Sequence, residues 1–232
     1  MLESSSNQNM IFVGTLNGEF VVKTDNKDEN AVSRVNKVGS TVFERHYNKL
    51  EGLITDVEIY HGDYGKILNL TISDNDPKTG DFVNYKLGLP FNSNYAMGFL
   101  RRAHNIDFDK KITLFTGKYE DDKGKERTYM TVWQNGDKVA YYWTKETPRD
   151  LPDMKQVKVN GVMTWDSTDR LEYLENYVEK VIIPRVSTID YTQTNADILD
   201  EVDETGDESL LPEVKKPVKL PLEENDDDDL PF

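Results

Sequence analysis

The middle of the chain alternates apolar and polar residues with the period of two that is typical of β-strands. The clearest case is Lys66–Ser73, in which Leu68, Leu70 and Ile72 share one face. Strands are predicted at Ile11–Val13, Glu19–Val22, Thr41–Phe43, Leu50–Tyr60, Lys66–Ser73, Phe82–Leu89, Lys111–Tyr119, Arg127–Trp133, Lys138–Trp143 and Val157–Val159. Turn formers such as Asn17-Gly18 separate them. The pattern therefore predicts a mainly β protein.

Two segments instead have apolar residues at helical spacing. Ser93–Asn105 begins with a favourable N-cap, and Asp166–Val181 carries an apolar stripe that we expect to end before Pro184. The first of these helices falls between the third and fourth strands counted from Leu50. That order is the order of the OB-fold, a five-stranded Greek-key β-barrel, and a generic β-sandwich is the alternative.

Composition divides the chain into four parts. We predict a flexible N-terminus at 1–9, an N-terminal β extension at 10–48, an OB-fold core with a C-terminal helix at 49–186, and a disordered acidic tail at 187–232. Residues 197–232 hold 14 Asp and Glu against 3 Lys, so −11 of the net charge of −15 lies there. The remaining body is nearly balanced and can carry a local basic groove.

Several classes of chemistry have no support in the sequence. There is no Cys, and the three His have no metal-ligand spacing. Nucleotide-binding glycine loops and hydrolase motifs are absent, as are a signal peptide and an apolar stretch long enough to span a membrane. We therefore expect a cytoplasmic protein that is not an enzyme and needs no cofactor or metal.

The last ten residues, Glu223–Phe232, combine charge with an apolar tip. The carboxylates Asp226, Asp227, Asp228 and Asp229 precede Leu230, Pro231 and Phe232. Such a peptide can place Phe232 in an apolar pocket while the Asp run approaches a basic rim. This ending resembles the tip of bacterial and phage single-stranded DNA-binding proteins, with Leu230 where many members carry Ile. The additions at 10–48 and Asp166–Val181 favour a phage-type variant, acting in the host cytoplasm, with a possible homo-oligomer.

By that resemblance, the body coats single-stranded DNA without strong sequence preference in replication, recombination and repair. The tip residues 226–232 recruit partner enzymes. Single strands offer phosphates to cations and bases to aromatic rings. In Arg127–Trp133 we expect Met130 and Val132 to face the core. The candidate DNA-binding residues, taken from outward faces, turns and the region before the barrel, are Tyr129, Trp133, Arg127, Phe82, Lys86, Tyr64, Lys66, Tyr142, Arg34, Lys37, Lys123 and Lys125.

Other functions remain open at this stage. One is an interaction or assembly protein that has a generic acidic tail and does not bind DNA. Another is a metal-dependent nuclease using carboxylates of the Asp74–Asp81 loop, and a third is an RNA-binding OB protein.

Overall fold

Strands dominate the structure, as the alternation predicts. The computed structural model describes residues 10–25, 28–36, 38–75 and 82–189. In these residues one large sheet contains the strands β1 Met10–Leu16, β2 Glu19–Thr24, β3 Val32–Val35, β4 Thr41–Tyr47, β5 Lys49–Gly62, β6 Gly65–Asn75, β7 Phe82–Pro90, β8 Ile112–Glu120, β9 Glu126–Gln134 and β10 Asp137–Lys138. Helix α1, Asn94–Ala103, lies between β7 and β8 in the chain, where the sequence predicts it.

The strands form an open mixed sheet in the order β10-β9-β8-β5-β6-β7-β1-β2-β4-β3, and the expected closed barrel is not formed by the described residues. The long strand β5 pairs antiparallel with both β6 and β8. Strand β1 pairs in parallel with β7, from Met10↔Asn84 to Val13↔Leu87. Because a strand has only two edges, β7 flanked by β6 and β1 has none left to pair with β9.

The N-terminal strands belong to this sheet and do not form a separate appendage. Asn17 and Gly18 form the predicted hairpin turn between β1 and β2, with φ of 50° and 84°. The amide of Gly18 donates to the Tyr95 hydroxyl at 2.7 Å, which ties the turn to α1. A Cβ on Gly18 would lie 2.8 Å from the backbone carbon of Gly117 in β8. The turn therefore contacts both α1 and β8, and only glycine fits there.

The core lies on one face of the sheet, under α1. Leu68, Leu70 and Ile72 are fully buried, which confirms the predicted alternation in β6. The helix buries Phe99 and Leu100 on its sheet-facing side. Its N-cap is Ser93, as predicted, and the Ser93 hydroxyl accepts from the amide of Ala96 at 3.2 Å.

The C-terminal helical region is longer than the sequence predicts. It consists of α2 Thr168–Tyr177, a π-helical turn Val178–Ile182 and α3 Ile183–Ser187. Pro184 does not end the helical region but lies in the first turn of α3, directly after the π-helical turn. The buried residues along this region recur every four positions and are Leu174, Val178, Ile182 and Val186.

A short hairpin belongs to the second of two units into which the chain divides. Residues 10–155 and 166–189 belong to one unit, and residues 156–165 belong to the other. The hairpin strands are β11 Lys155–Val159 and β12 Val162–Asp166. In the described part of the chain, no helix combines the length and apolar character needed to cross a membrane.

Candidate nucleic-acid interface

Strand β9 presents the faces that its sequence predicts. Met130 and Val132 are 1% and 0% exposed, so they point into the core. Tyr129 and Trp133 lie on the opposite face, where Tyr129 is exposed and Trp133 is partly buried. Single exposed rings are common, whereas a contiguous patch of them is typical of a binding surface.

Strand β8 adds two aromatic residues that the sequence analysis missed. In the ladder with β9, Thr113 lies opposite Trp133 and Gly117 lies opposite Tyr129, so Phe115 and Tyr119 share their face. The Phe115 and Trp133 ring centroids are 6.0 Å apart in an edge-to-face arrangement, and those of Tyr119 and Tyr129 are 6.2 Å apart. We call the four rings the aromatic strip: Phe115, Tyr119, Tyr129 and Trp133. The alternation of buried residues at 112, 114 and 116 could have revealed the two missed members.

A groove opens at the Trp133 end of the aromatic strip. It has a volume of about 400 Å³ and receives residues from β5, β8 and the turn after β9. Its lining includes Phe115 and Trp133, and the Trp133 indole nitrogen donates to the Thr131 hydroxyl at 3.2 Å. The polar residues of the lining are Lys49, Glu51, Lys111, Thr113, Gln134 and Asn135. The groove therefore combines flat apolar surfaces with cations and amides.

The two lysines that line the groove each have a carboxylate neighbour. Lys49 lies 2.5 Å from Glu51, and Lys111 lies 2.8 Å from Asp74. Lys118 lies on the opposite face of β8, 2.9 Å from Glu126, and this partner raises the pKa of the lysine. A phosphate that binds one of these ammonium groups would have to replace the carboxylate as its partner. Because such exposed pairs are weak, the exchange is energetically modest.

The turn between β8 and β9 is organised by Asp121. Its carboxylate accepts from the amides of Lys123 and Lys125 at 3.1 and 2.8 Å and from Arg127 Nε at 2.9 Å. The Lys125 amide, followed by Arg127, holds the pKa of Asp121 below its usual value. Arg127 thus stabilises the turn, while the side chains of Lys123 and Lys125 are exposed on it. The structure places all three predicted cations beside the aromatic strip.

The predicted pair at the β5–β6 turn lies at the other end of β5. Tyr64 is fully exposed there, and Lys66 forms an ion pair with Glu175 of α2. β5 has 14 residues and pairs with β8 only at its first four, so this turn lies at the opposite end of β5 from the aromatic strip. His61 and Glu179 join Glu175 in a group whose ligand atoms lie within 4.8 Å of one another, but the Lys66 ammonium already neutralises Glu175.

Phe82 and Lys86 lie on β7, which β5 and β6 separate from β8. Phe82 is 41% exposed, as an outward residue should be. Lys86 is 2.6 Å from Glu58. The residue of β1 that lies opposite Lys86 is Phe12, whose side chain is 70% exposed. These residues form a second exposed area, distinct from the aromatic strip.

Tyr142 is not on the strip because the predicted strand Lys138–Trp143 is shorter in the structure. Only Asp137–Lys138 pairs with β9, and the following residues cross α1. Tyr142 stacks on His104 with ring centroids 3.7 Å apart, and the Arg149 guanidinium carbon lies 3.9 Å from the centroid of the Tyr142 ring. Burial, assisted by Arg185 and Arg149, lowers the pKa of His104.

Arg34 lies on the edge strand β3 and forms a two-point ion pair with Glu44, at 2.6 and 2.7 Å. Glu44 is only 1% exposed, so Arg34 is needed to compensate the charge of this buried carboxylate. Lys37, the tip residues 226–232 and the loop residues Asp76 and Asp81 lie outside the described residues.

No known protein family, characterised protein or solved structure matches this chain.

Proposed function

We propose that this protein binds single-stranded DNA without strong sequence preference, using the aromatic strip as its main contact. The observation that carries the proposal is the presence of four aromatic rings on the outer face of two adjacent strands, with Met130 and Val132 filling the core from the other face. Stacking suits single strands of any sequence, because every base has a flat face.

The arrangement of the strands supports the same proposal. β5, β6 and β7 follow one another in the sheet, α1 comes next in the chain, and β8 then returns to pair with β5. We infer an opened OB-fold in which the N-terminal hairpin occupies the edge that would otherwise close the barrel. OB-folds use one open face to bind single-stranded nucleic acids.

The acidic tip supports a role for the protein in replication, recombination and repair. Asp226–Phe232 resembles the partner-recruiting tip of phage and bacterial single-stranded DNA-binding proteins. In this proposal the tip recruits partner enzymes, and the tail of charge −11 competes with DNA for the cations beside the strip. Removing residues 197–232 should therefore tighten DNA binding, mainly at low salt. Equal affinity of both forms at low ionic strength would contradict this competition.

Fluorescence anisotropy tests the proposed function directly. The labelled probes are an oligo-dT of about 30 nucleotides, the RNA of the same sequence, and a duplex of the same length. We expect binding to the single-stranded DNA that weakens with salt, and poor binding to the duplex. Tighter binding to the RNA than to the DNA would indicate that the aromatic strip binds RNA instead. No binding at low salt, with or without the tail, would support an interaction protein that does not contact nucleic acid.

A further inference from the structure

The hairpin 156–165 exposes several large apolar side chains. Val162 is 69% exposed, Met163 57%, Val159 51% and Trp165 40%. A two-stranded hairpin is only marginally stable in water when nothing covers it. Side chains of this size on such an element therefore indicate a surface that binds something.

The two faces of the hairpin differ in chemistry. Asn160 and Gly161 form a two-residue turn with φ of 50° and 84°, so Val159 and Val162 flank it as a pair. By alternation, one face carries Val157, Val159, Val162 and Thr164, which we call the valine face. The other, which we call the Trp165 face, carries Gln156, Lys158, Met163 and Trp165. An aromatic ring, a cation and an amide thus occur together on one side only.

Charge favours a polyanion as the occupant of the Trp165 face. The chain has 43 acidic residues among 232, yet there is none between Asp153 and Asp166. By the same alternation Lys155 belongs to the valine face, where it lies 2.5 Å from Asp169, and Lys158 is the cation of the Trp165 face. Across an antiparallel pair, Lys158 and Trp165 are diagonal neighbours about 7–8 Å apart at Cα. One nucleotide can therefore place its base on the indole and its phosphate on the ammonium.

We propose that the Trp165 face is a second binding element for single-stranded DNA. The inference rests on the proposed function, because it assigns a further contact for the same ligand. The hairpin offers a stacking surface for one base and a phosphate contact of its own. We therefore expect it to increase the affinity for oligo-dT.

The three tryptophans allow the hairpin to be observed separately. Trp133 is in the aromatic strip, Trp165 is on the hairpin, and Trp143 is 1% exposed, so its emission provides a constant background. In the Trp133→Phe variant, titration with oligo-dT should quench the remaining accessible fluorescence, which comes from Trp165. In the Trp165→Phe variant, the quenching should report the strip alone.

Affinity measurements provide the second readout. Trp165→Ala should weaken oligo-dT binding about fivefold or more, whereas Trp165→Phe should retain most of the affinity because a flat ring remains. Lys158→Gln should reduce the slope of log affinity against log salt by about 0.7, the value for one phosphate on a single strand. Val162→Thr, on the valine face of the same hairpin, is the matched control and should bind like the native chain.

The outcomes separate this inference from the proposed function. Quenching of Trp133 but not of Trp165, with native affinity in Trp165→Ala, would overturn the inference and leave strip binding intact. A change of sedimentation mass in Val162→Thr, with unchanged DNA binding in Trp165→Ala, would show that the hairpin pairs with a second copy and would also overturn it. If the native chain binds no oligo-dT at all, the proposed function fails as well.

Discussion

Replacing Trp133 by Ala should weaken DNA binding much more than it weakens the fold. Trp133 lies beside the groove, with its ring 6.0 Å from Phe115, and the core below is filled by Met130 and Val132. Loss of one stacked base costs about 1–3 kcal/mol, which corresponds to a roughly 5- to 150-fold rise in Kd for oligo-dT. Because Trp133 is partly exposed, the free energy of unfolding should fall by only about 1 kcal/mol.

Trp143 provides the matched comparison for this experiment. It is 1% exposed and packs edge-to-face against Tyr177 with centroids 4.9 Å apart, so Trp143→Ala leaves a large cavity. We expect it to lower the free energy of unfolding by about 3–5 kcal/mol. Where the protein remains folded, its affinity for DNA should change little. The two tryptophans thus separate a loss of binding from a loss of stability.

The assay is oligo-dT anisotropy at fixed salt together with urea unfolding of each variant. Trp133→Phe should bind within a few fold of the native chain, since a smaller ring can still stack. Native affinity in Trp133→Ala, in a protein that unfolds normally, would refute the assignment of the strip as the main contact. A loss of stability as large as that of Trp143→Ala would show that Trp133 serves mainly in packing.

Three further predictions concern the steric effect of replacing two glycines and the pH dependence of stability. A Cβ at Gly117 would lie 2.4 Å from the Tyr129 hydroxyl, so Gly117→Ala should displace that ring and weaken oligo-dT binding in the anisotropy assay. A Cβ at Gly98 would lie 2.3 Å from a carbonyl oxygen of β9, so Gly98→Ala should cost about 3 kcal/mol of stability in urea unfolding. Arg45 holds the pKa of Asp28 at about 2, below an unfolded value near 3.9, so their pair stabilises the fold above about pH 4 and this contribution is lost toward pH 2. Urea midpoints of Asp28→Asn should be lower than native at pH 5 and approach the native values near pH 2.

Each of these predictions has a clear contrary result. Unchanged affinity in Gly117→Ala would mean that the position of the Tyr129 ring does not matter for binding. Native stability in Gly98→Ala would show that α1 can move away from β9 without cost. If the urea midpoints of Asp28→Asn and the native chain differed by the same amount from pH 5 to pH 2, protonation of Asp28 would not contribute to the loss of stability in acid.

Local alternation was sufficient to predict much of the fold. The core-facing residues of β6 and β9 were predicted correctly because Leu68, Leu70, Ile72, Met130 and Val132 recur at every second position. Ser73 was predicted to face outward and is buried beside Ile72. The Asn17-Gly18 turn and the Ser93 cap were also predicted, since each depends on a few adjacent residues. These features involve short-range sequence signals that need no knowledge of distant segments.

The open sheet could not be predicted in this way. Whether the barrel closes depends on which strand occupies the free edge of β7, and the strand that does so, β1, lies about 70 residues earlier in the chain. Alternation reports which face of a strand is buried, but it does not specify the neighbour on either edge. The parallel pairing of β1 and β7 is therefore visible only in the structure.

The candidate site was predicted only in part for a similar reason. Lys66 and Lys86 form ion pairs with residues that lie far from them in the sequence. Glu175, the partner of Lys66, is 109 residues away. Tyr142 was assigned to a strand that ends early, because Arg101 and Arg102 hold the adjacent ring of Tyr141 over α1 at 4.1 and 3.7 Å. Ion pairs and ring contacts of this kind leave no periodic signal in the sequence.

Photo-cross-linking tests the central claim most directly, because it locates the bound strand on the protein. Irradiation of the full chain with oligo-dT, followed by mass spectrometry of the peptides, identifies the residues that stack on thymine. The account predicts cross-links in β8 and β9, at Phe115, Tyr129 or Trp133, with further links at Trp165 if the hairpin also binds. Cross-links confined to the area around Phe12 and Phe82, or none under conditions where binding is saturated, would contradict it.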